Sequence, residues 1–223
     1  MKPKAAGSRA EGFLRWHRAR IYVLLWWALV NSVGAAACSP QTPRLPALAP
    51  GAVILAFGDS LTYGTGAAKA QSYPAVLERL LRRRVINAGV PGELSGEGVQ
   101  RLPPLLDRYR PDLLILCHGG NDLLRRYDEE KTATNIRSMV NEARRRDIPV
   151  ALIGVPRPSL LFMDTAPLYA EIAAEFGLPY EGEILTRLES NAALKSDQIH
   201  PNAGGYQALA EAVRALLRKS QAI

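Results

Sequence analysis

The chain is predicted to be an α/β protein, a parallel sheet of five strands wrapped by helices, on three observations. From Gly51 onward, short apolar runs alternate with longer segments whose apolar residues recur at helical spacing. At 223 residues with 48% hydrophobic content, the chain can bury a full core and has room for one domain once any leader is set aside. Polar and glycine-rich loops follow the apolar runs, at the sheet edge where α/β proteins bind ligands.

The strands are expected at Ala52 to Phe57, Val85 to Ala88, Asp112 to Cys117, Pro149 to Ile153 and, more weakly, Leu178 to Glu181. Between them, Tyr73 to Arg84, Ser95 to Tyr109, Thr132 to Asp147 and Ala166 to Phe176 have the helical period and end near Arg, Gly or Pro, and Asn202 to Lys219 closes the fold. The basic runs Arg82 to Arg84 and Arg144 to Arg146 fall late in two of these helices, where cations suit the dipole and face solvent. Cys117 ends an apolar run and is read as a buried thiol acting as a small hydrophobe. Two cysteines make no disulfide framework.

The net charge of +7 is concentrated at the amino terminus. Six of the 28 basic residues and one of the 21 acidic ones lie in residues 1–37, which leaves the remainder close to neutral at +2. A nucleic-acid partner is therefore not expected. Residues 1–37 read as an export signal: a basic region through Arg20, an apolar stretch from Ile21 to Val30, then small residues ending Ala35-Ala36-Ala37 before Cys38. The apolar stretch is interrupted by Asn31 and Ser32 and is shorter than the roughly 20 residues of a spanning helix. Small residues before Cys38 resemble a bacterial lipobox, with acylation of that cysteine, although Ala35 stands where leucine is more usual. Simple cleavage after Ala37 and an uncleaved anchor are the alternatives. The expected organisation is a signal over 1–37, a lipidated Cys38 with a proline-rich tether over 38–50, and a globular domain over 51–223. Such a protein would be exported to the periplasm or outer membrane and associate with the membrane through its amino terminus; its oligomeric state is not legible.

The chemistry centres on Gly58-Asp59-Ser60-Leu61, which places a serine where the first strand surfaces. Serine is a weak nucleophile at neutral pH and needs a base within hydrogen-bond reach and a group to orient that base. Beyond the leader only His118 and His200 remain, and His200 lies three residues after Asp197 in a turn opening the last helix. Asp197 and His200 alone would equally suit a helix cap; Ser60 at the mouth of the first strand favours a triad. His118 lacks an acid at close spacing and is read as a packing or substrate-lining residue. Acyl transfer also needs donors aimed at a developing oxyanion, and the loops containing Gly92 and Gly120-Asn121-Asp122 offer them.

Gly58-Asp59-Ser60-Leu61, Gly92, Gly120-Asn121-Asp122 and Asp197-Gln198-Ile199-His200-Pro201-Asn202 together resemble the four ordered blocks of the SGNH/GDSL hydrolases. Within that superfamily the chain is most similar to the bacterial periplasmic thioesterase, arylesterase and lysophospholipase group. The resemblance implies a three-layer α/β/α sandwich with flavodoxin-like strand order. It also implies nucleophile Ser60, base His200, orienting acid Asp197, and an oxyanion hole of the Ser60 amide, the Gly92 amide and the Asn121 side chain. No metal or organic cofactor is implied, and the expected partner is a small acyl ester. Leu94, Val155, Pro156, Pro158 and Leu160 cluster near the strand ends and are candidates for holding the acyl group. Two other readings stay open: a carbohydrate O-acetylesterase acting on cell-envelope polymers, and a non-catalytic module holding an anion at the Gly64-Thr65-Gly66 loop.

Overall fold

A computed structural model describes residues 42–157 and 164–223. The signal segment, Cys38, Pro158 and Leu160 lie outside the described residues. Five parallel strands form the main sheet: β1 (Val53–Gly58), β2 (Arg84–Gly89), β3 (Leu113–Cys117), β4 (Val150–Ile153) and β7 (Tyr180–Glu181), in the order β2-β1-β3-β4-β7. Counting these strands alone, this is the 2-1-3-4-5 order of flavodoxin-like sheets. The central strands are apolar throughout because both faces are covered by helices: β3 is buried at every residue and β1 at all but its first.

The principal helices are α2 (Tyr73–Leu81), α3 (Ser95–Tyr109), α5 (Glu129–Arg144), α6 (Pro167–Phe176) and α8 (Ala203–Lys219). Their buried positions repeat at three and four residues, as in Ile136, Met139, Val140 and Ala143 of α5 or Tyr206, Leu209, Ala210, Val213 and Leu217 of α8. Three short helices join them: α1 (Ser60–Tyr63), α4 (Gly120–Leu124) and α7 (Ile184–Glu189). Cys117 is fully buried in β3, and burial pushes its thiol well above the ordinary range.

Four features depart from the sequence reading. Helix α2 stops at Leu81 because Arg82 turns left-handed at φ 52°, so Arg83 precedes and Arg84 begins a strand rather than finishing a helix. Arg83 is half-buried, and its guanidinium donates to the Leu48 and Ala49 carbonyls at 2.8 and 3.0 Å. In the second basic run only Arg144 is helical, and Arg146 bonds Asp107 at 2.8 Å. The stretch read as a tether is docked from Leu45 on: the Leu45 and Leu48 amides donate to Ser220 and Ala222 at 2.8 Å, and Leu48 is buried. Finally, β5 (Pro156–Arg157) and β6 (Asp164–Thr165) form a small antiparallel ribbon beyond the end of β4.

Parallel register carries the carboxyl ends of β1, β2 and β3 to one edge, with Gly58 beside Gly89 on one side and Cys117 on the other. The segments that continue from these three residues build the site.

Candidate active site

Asp59 caps the turn that carries Ser60. Its side chain accepts the Leu61 amide at 3.1 Å, starting α1 directly behind the strand. Asp59 is buried, and burial raises its carboxyl above the usual range, opposed by the nearby His118 ring and the Leu61 and Gly120 amides. Ser60 is thus the first residue of a helical turn, held at the sheet edge by a cap its own sequence supplies.

Ser60 Oγ lies 3.0 Å from His200 Nε2, and His200 Nδ1 lies 2.8 Å from Asp197 Oδ2. A carboxylate only accepts, so Nδ1 carries the proton toward Asp197 and Nε2 is left to accept from the serine hydroxyl. The other oxygen of Asp197 accepts the Ile199 and His200 amides at 2.8 and 2.7 Å. The cap and the triad contact are therefore served by one carboxylate, an oxygen each. The His200 amide does most to hold Asp197 down at about 2, against a burial cost and with help from the Ile199 amide and the imidazole. It stays ionised through the mildly acidic range.

The loop presenting His200 is clamped on both sides. Ser196 donates its amide to the His200 carbonyl at 2.9 Å, and Asn202 caps α8 while its amide group donates to the Ala193 and Lys195 carbonyls. The whole loop leans on Gly66, where φ is +95° and a Cβ would lie 2.0 Å from Ser196 Oγ and 2.7 Å from the Pro201 carbonyl. The Gly64-Thr65-Gly66 loop is thus filled by the protein itself, with Tyr206 donating to the Thr65 carbonyl at 2.7 Å. Gly66→Ala is expected to cost about 1–3 kcal/mol of stability and to lower kcat by displacing His200. Thermal unfolding beside kcat on a simple ester measures both.

Gly92 sits at φ +81° with open space where a Cβ would be, so glycine is required there by the backbone dihedral and not by crowding. Asn121 belongs to α4, and its amide donates one N–H to the Glu93 carbonyl at 3.0 Å, leaving the other free to face a ligand. The neighbouring Asp122 accepts the Ser95 amide and hydroxyl at 2.8 and 2.7 Å, so it caps α3 and pins α4 against it.

Beneath these donors lies a buried ionic cluster that the sequence reading missed. The Glu93 carboxylate receives Arg101 Nε and Nη2, both at 2.5 Å, and His118 Nε2 at 2.9 Å. His118 Nδ1 accepts the Gly119 amide at 2.8 Å, which fixes the proton on Nε2 and makes His118 a donor to Glu93. Burial disfavours the Glu93 charge, yet the His118 and Arg101 hydrogen bonds outweigh it and hold the carboxyl below its ordinary range. Arg101 also bonds the Ala88 and Gly58 carbonyls and lies 4.2 Å from the Phe57 ring centre. It thus ties the ends of β1 and β2 to the Gly92-Glu93 loop. Arg101-Leu102-Pro103 is legible in the sequence as part of the family resemblance, but nothing local pairs Arg101 with Glu93 eight residues earlier. His118 is fully buried and takes the packing role expected of it.

A recess of about 50 Å³ opens beside Ser60 and Asn121. Val155 and Pro156 line it with Leu61, Leu124 and Ile199, and Gln198 and Glu189 stand at the polar side. Leu94 does not line it. The Leu94 amide is tied to Glu97 at 2.8 Å at the start of α3, and its side chain borders a separate groove with Tyr127 and Lys131.

A family profile described as the GDSL-like Lipase/Acylhydrolase family matches residues 56–208, a span that contains Ser60, Gly92, Glu93, Asn121, Asp197 and His200. The chain belongs to the GDSL-like lipase/acylhydrolase family. It is a GDSL-type enzyme, with the three-layer α/β/α architecture expected of one. Esterase TesA of Pseudomonas aeruginosa is 34% identical over 110 residues, covering 47% of this chain and 55% of that protein, so the match spans little more than half of TesA. An arylesterase of Vibrio mimicus is 29% identical over 173 residues, or 72% of this chain and 85% of its own. Among solved structures, the SGNH-hydrolase family esterase AlinE4 is 34% identical, with a TM-score of 0.61 over 78% of this chain and 98% of AlinE4.

Proposed function

We propose that this GDSL enzyme is an exported serine esterase that cleaves small acyl esters through an acyl-enzyme intermediate. The observation that carries the reading is the unbroken chain from Ser60 Oγ through His200 to Asp197, at 3.0 and 2.8 Å. Ser60 Oγ attacks the ester carbonyl carbon while its proton passes to His200 Nε2, and Asp197 steadies the imidazolium. The carbonyl oxygen gains the negative charge and is received by the Ser60 and Gly92 amides and the Asn121 side chain. Collapse of this intermediate expels the alcohol, which takes the proton from His200. Water then attacks the acyl-enzyme with the same base and releases the acid.

We infer a short acyl group from the small recess beside Ser60, whose apolar walls among the described residues come from Leu61, Leu124, Val155, Pro156 and Ile199. The same size favours an O-acetylated carbohydrate as a second reading. Rates on p-nitrophenyl esters from acetate to palmitate, beside a lysophospholipid and an acetylated glycan, separate these, with Ser60→Ala as control. The expected result is a maximum among the shortest acyl chains of the series. A maximum at ten carbons or more would reject the short-acyl reading, and turnover of acetyl glycan alone would select the second. Export rests on the composition of residues 1–37. An intact mass of the secreted protein distinguishes acylation at Cys38 from simple cleavage.

A further inference from the structure

The chain enters the domain at the pole opposite the site, and it is fixed there. Beyond the Leu45 and Leu48 amides bonded to Ser220 and Ala222, the Leu48 and Ala49 carbonyls accept Arg83, the residue before β2. Leu48 is buried, Leu45 packs against the core, and Thr42 and Pro43 ahead of them are half-buried. Two elements run from this pole to the site. The six residues of β1 carry the chain about 20 Å to the turn that holds Ser60. The 17 residues of α8 set about 25 Å between Ser220 and the loop that presents His200.

Cys38 lies four residues before Thr42, and four residues fully extended reach at most about 14 Å. Even measured from Leu45, a taut chain covers only about 24 Å, and it has to pass around the domain rather than through it. Were the whole stretch to Val53 free, its reach would be about 50 Å, ample to turn the site toward any surface that held Cys38. Docking at Leu45 and Leu48 removes that freedom.

We propose that the docked stretch is an orienting strap: held at a membrane through Cys38, the enzyme turns its cleft away from that bilayer. Its substrates are then esters that arrive from the far side, dissolved or borne on a polymer, and not the lipids of the membrane that holds it. This rests on the exported-esterase reading above, with an anchor at Cys38, and adds the side from which substrate comes.

The test fixes the exported protein to vesicles through Cys38, by its own acyl group or, where that is absent, by a maleimide lipid. Cys117 is the other cysteine of the chain, and its buried thiol, held well above the ordinary range, leaves Cys38 as the reactive one. The probe is a 7-hydroxycoumarin butyrate carrying a hexadecyl chain, embedded in the same vesicles, beside a soluble 7-hydroxycoumarin butyrate. Anchoring is expected to change turnover of either ester by no more than about threefold, although it confines enzyme and embedded probe to one surface at roughly millimolar effective concentration. Inserting twenty Gly and Ser residues after Gln41 adds about 25 Å of root-mean-square reach. That insertion should raise turnover of the embedded ester by about tenfold or more and leave the soluble ester unchanged. Turnover of the embedded ester as fast with the native tether as with the inserted one would overturn the proposal. A gain that persists in detergent micelles, where no bilayer limits reach, would overturn it equally. Failure of the esterase reading is seen separately, as turnover of the soluble ester that survives Ser60→Ala.

Discussion

Ser60→Ala is expected to lower kcat on any accepted ester by roughly 10⁴ to 10⁶-fold, because the attacking oxygen is removed while the cleft is left intact. His200→Ala should fall in the same range, and the double variant should be no worse than either single one, since the two groups act as a unit. The geometry makes a sharper demand on the two histidines. His200 accepts from Ser60, whereas His118 has both ring nitrogens engaged, one with Glu93 and one with the Gly119 amide. His118→Ala should therefore act mainly through stability, with a smaller loss of turnover. Unfolding midpoints measured beside single-turnover rates on p-nitrophenyl acetate separate the two effects. Abolished chemistry in a well-folded His118 variant beside an active His200 variant would reverse the assignment.

The largest structural effect is expected at Glu93. Glu93→Ala leaves the Arg101 guanidinium and the fully buried His118 ring without their shared acceptor. Removing one partner of a buried ionic cluster costs about 3–5 kcal/mol, or a fall in Tm of roughly 6–20 °C for a domain of this size. Activity should fall too, by about a hundredfold. Asn121 is held by the Glu93 carbonyl and Gly92 is the residue before it, so loosening that loop misplaces two of the proposed oxyanion donors. Glu93→Gln separates charge from shape. Because the folded carboxyl is held below its ordinary value, the stabilisation is full above the ordinary glutamate range and is lost as pH falls through the lower folded value. The wild-type advantage over Glu93→Gln in denaturant titrations should therefore shrink on acidification and be largest at neutral pH. A Glu93→Ala protein with unchanged Tm and turnover would show that the cluster is incidental to the site.

What the sequence disclosed follows the range of the forces involved. Strands β1 and β3 were plain because a strand covered on both faces must be apolar throughout, and that is a local property. The Asp197 and His200 contact was legible because it spans three residues. The end of α2 was not, since an arginine and not the usual glycine takes the left-handed position after Leu81. The docking of Leu45 and Leu48 depends on carbonyls at Ser220 and Ala222, far along the chain, while the proline content of that stretch speaks only of an extended backbone. Leu94 lies near the strand ends with the other acyl candidates, but its amide is tied to Glu97 and it borders a separate groove. Glu93, Arg101 and Glu189 carry no local mark of burial. Only the folded chain brings the first two together and turns the third inward.

The central claim is that Ser60 is a nucleophile activated by His200. Incubation with an excess of a fluorophosphonate, followed by intact mass and peptide mapping, tests it most directly because only an activated serine reacts at a useful rate. The account predicts one adduct per chain, carried by the peptide containing Ser60, absent in Ser60→Ala and slowed by orders of magnitude in His200→Ala. An adduct that persists in Ser60→Ala, or an unmodified Ser60 in a folded wild-type protein, would contradict it.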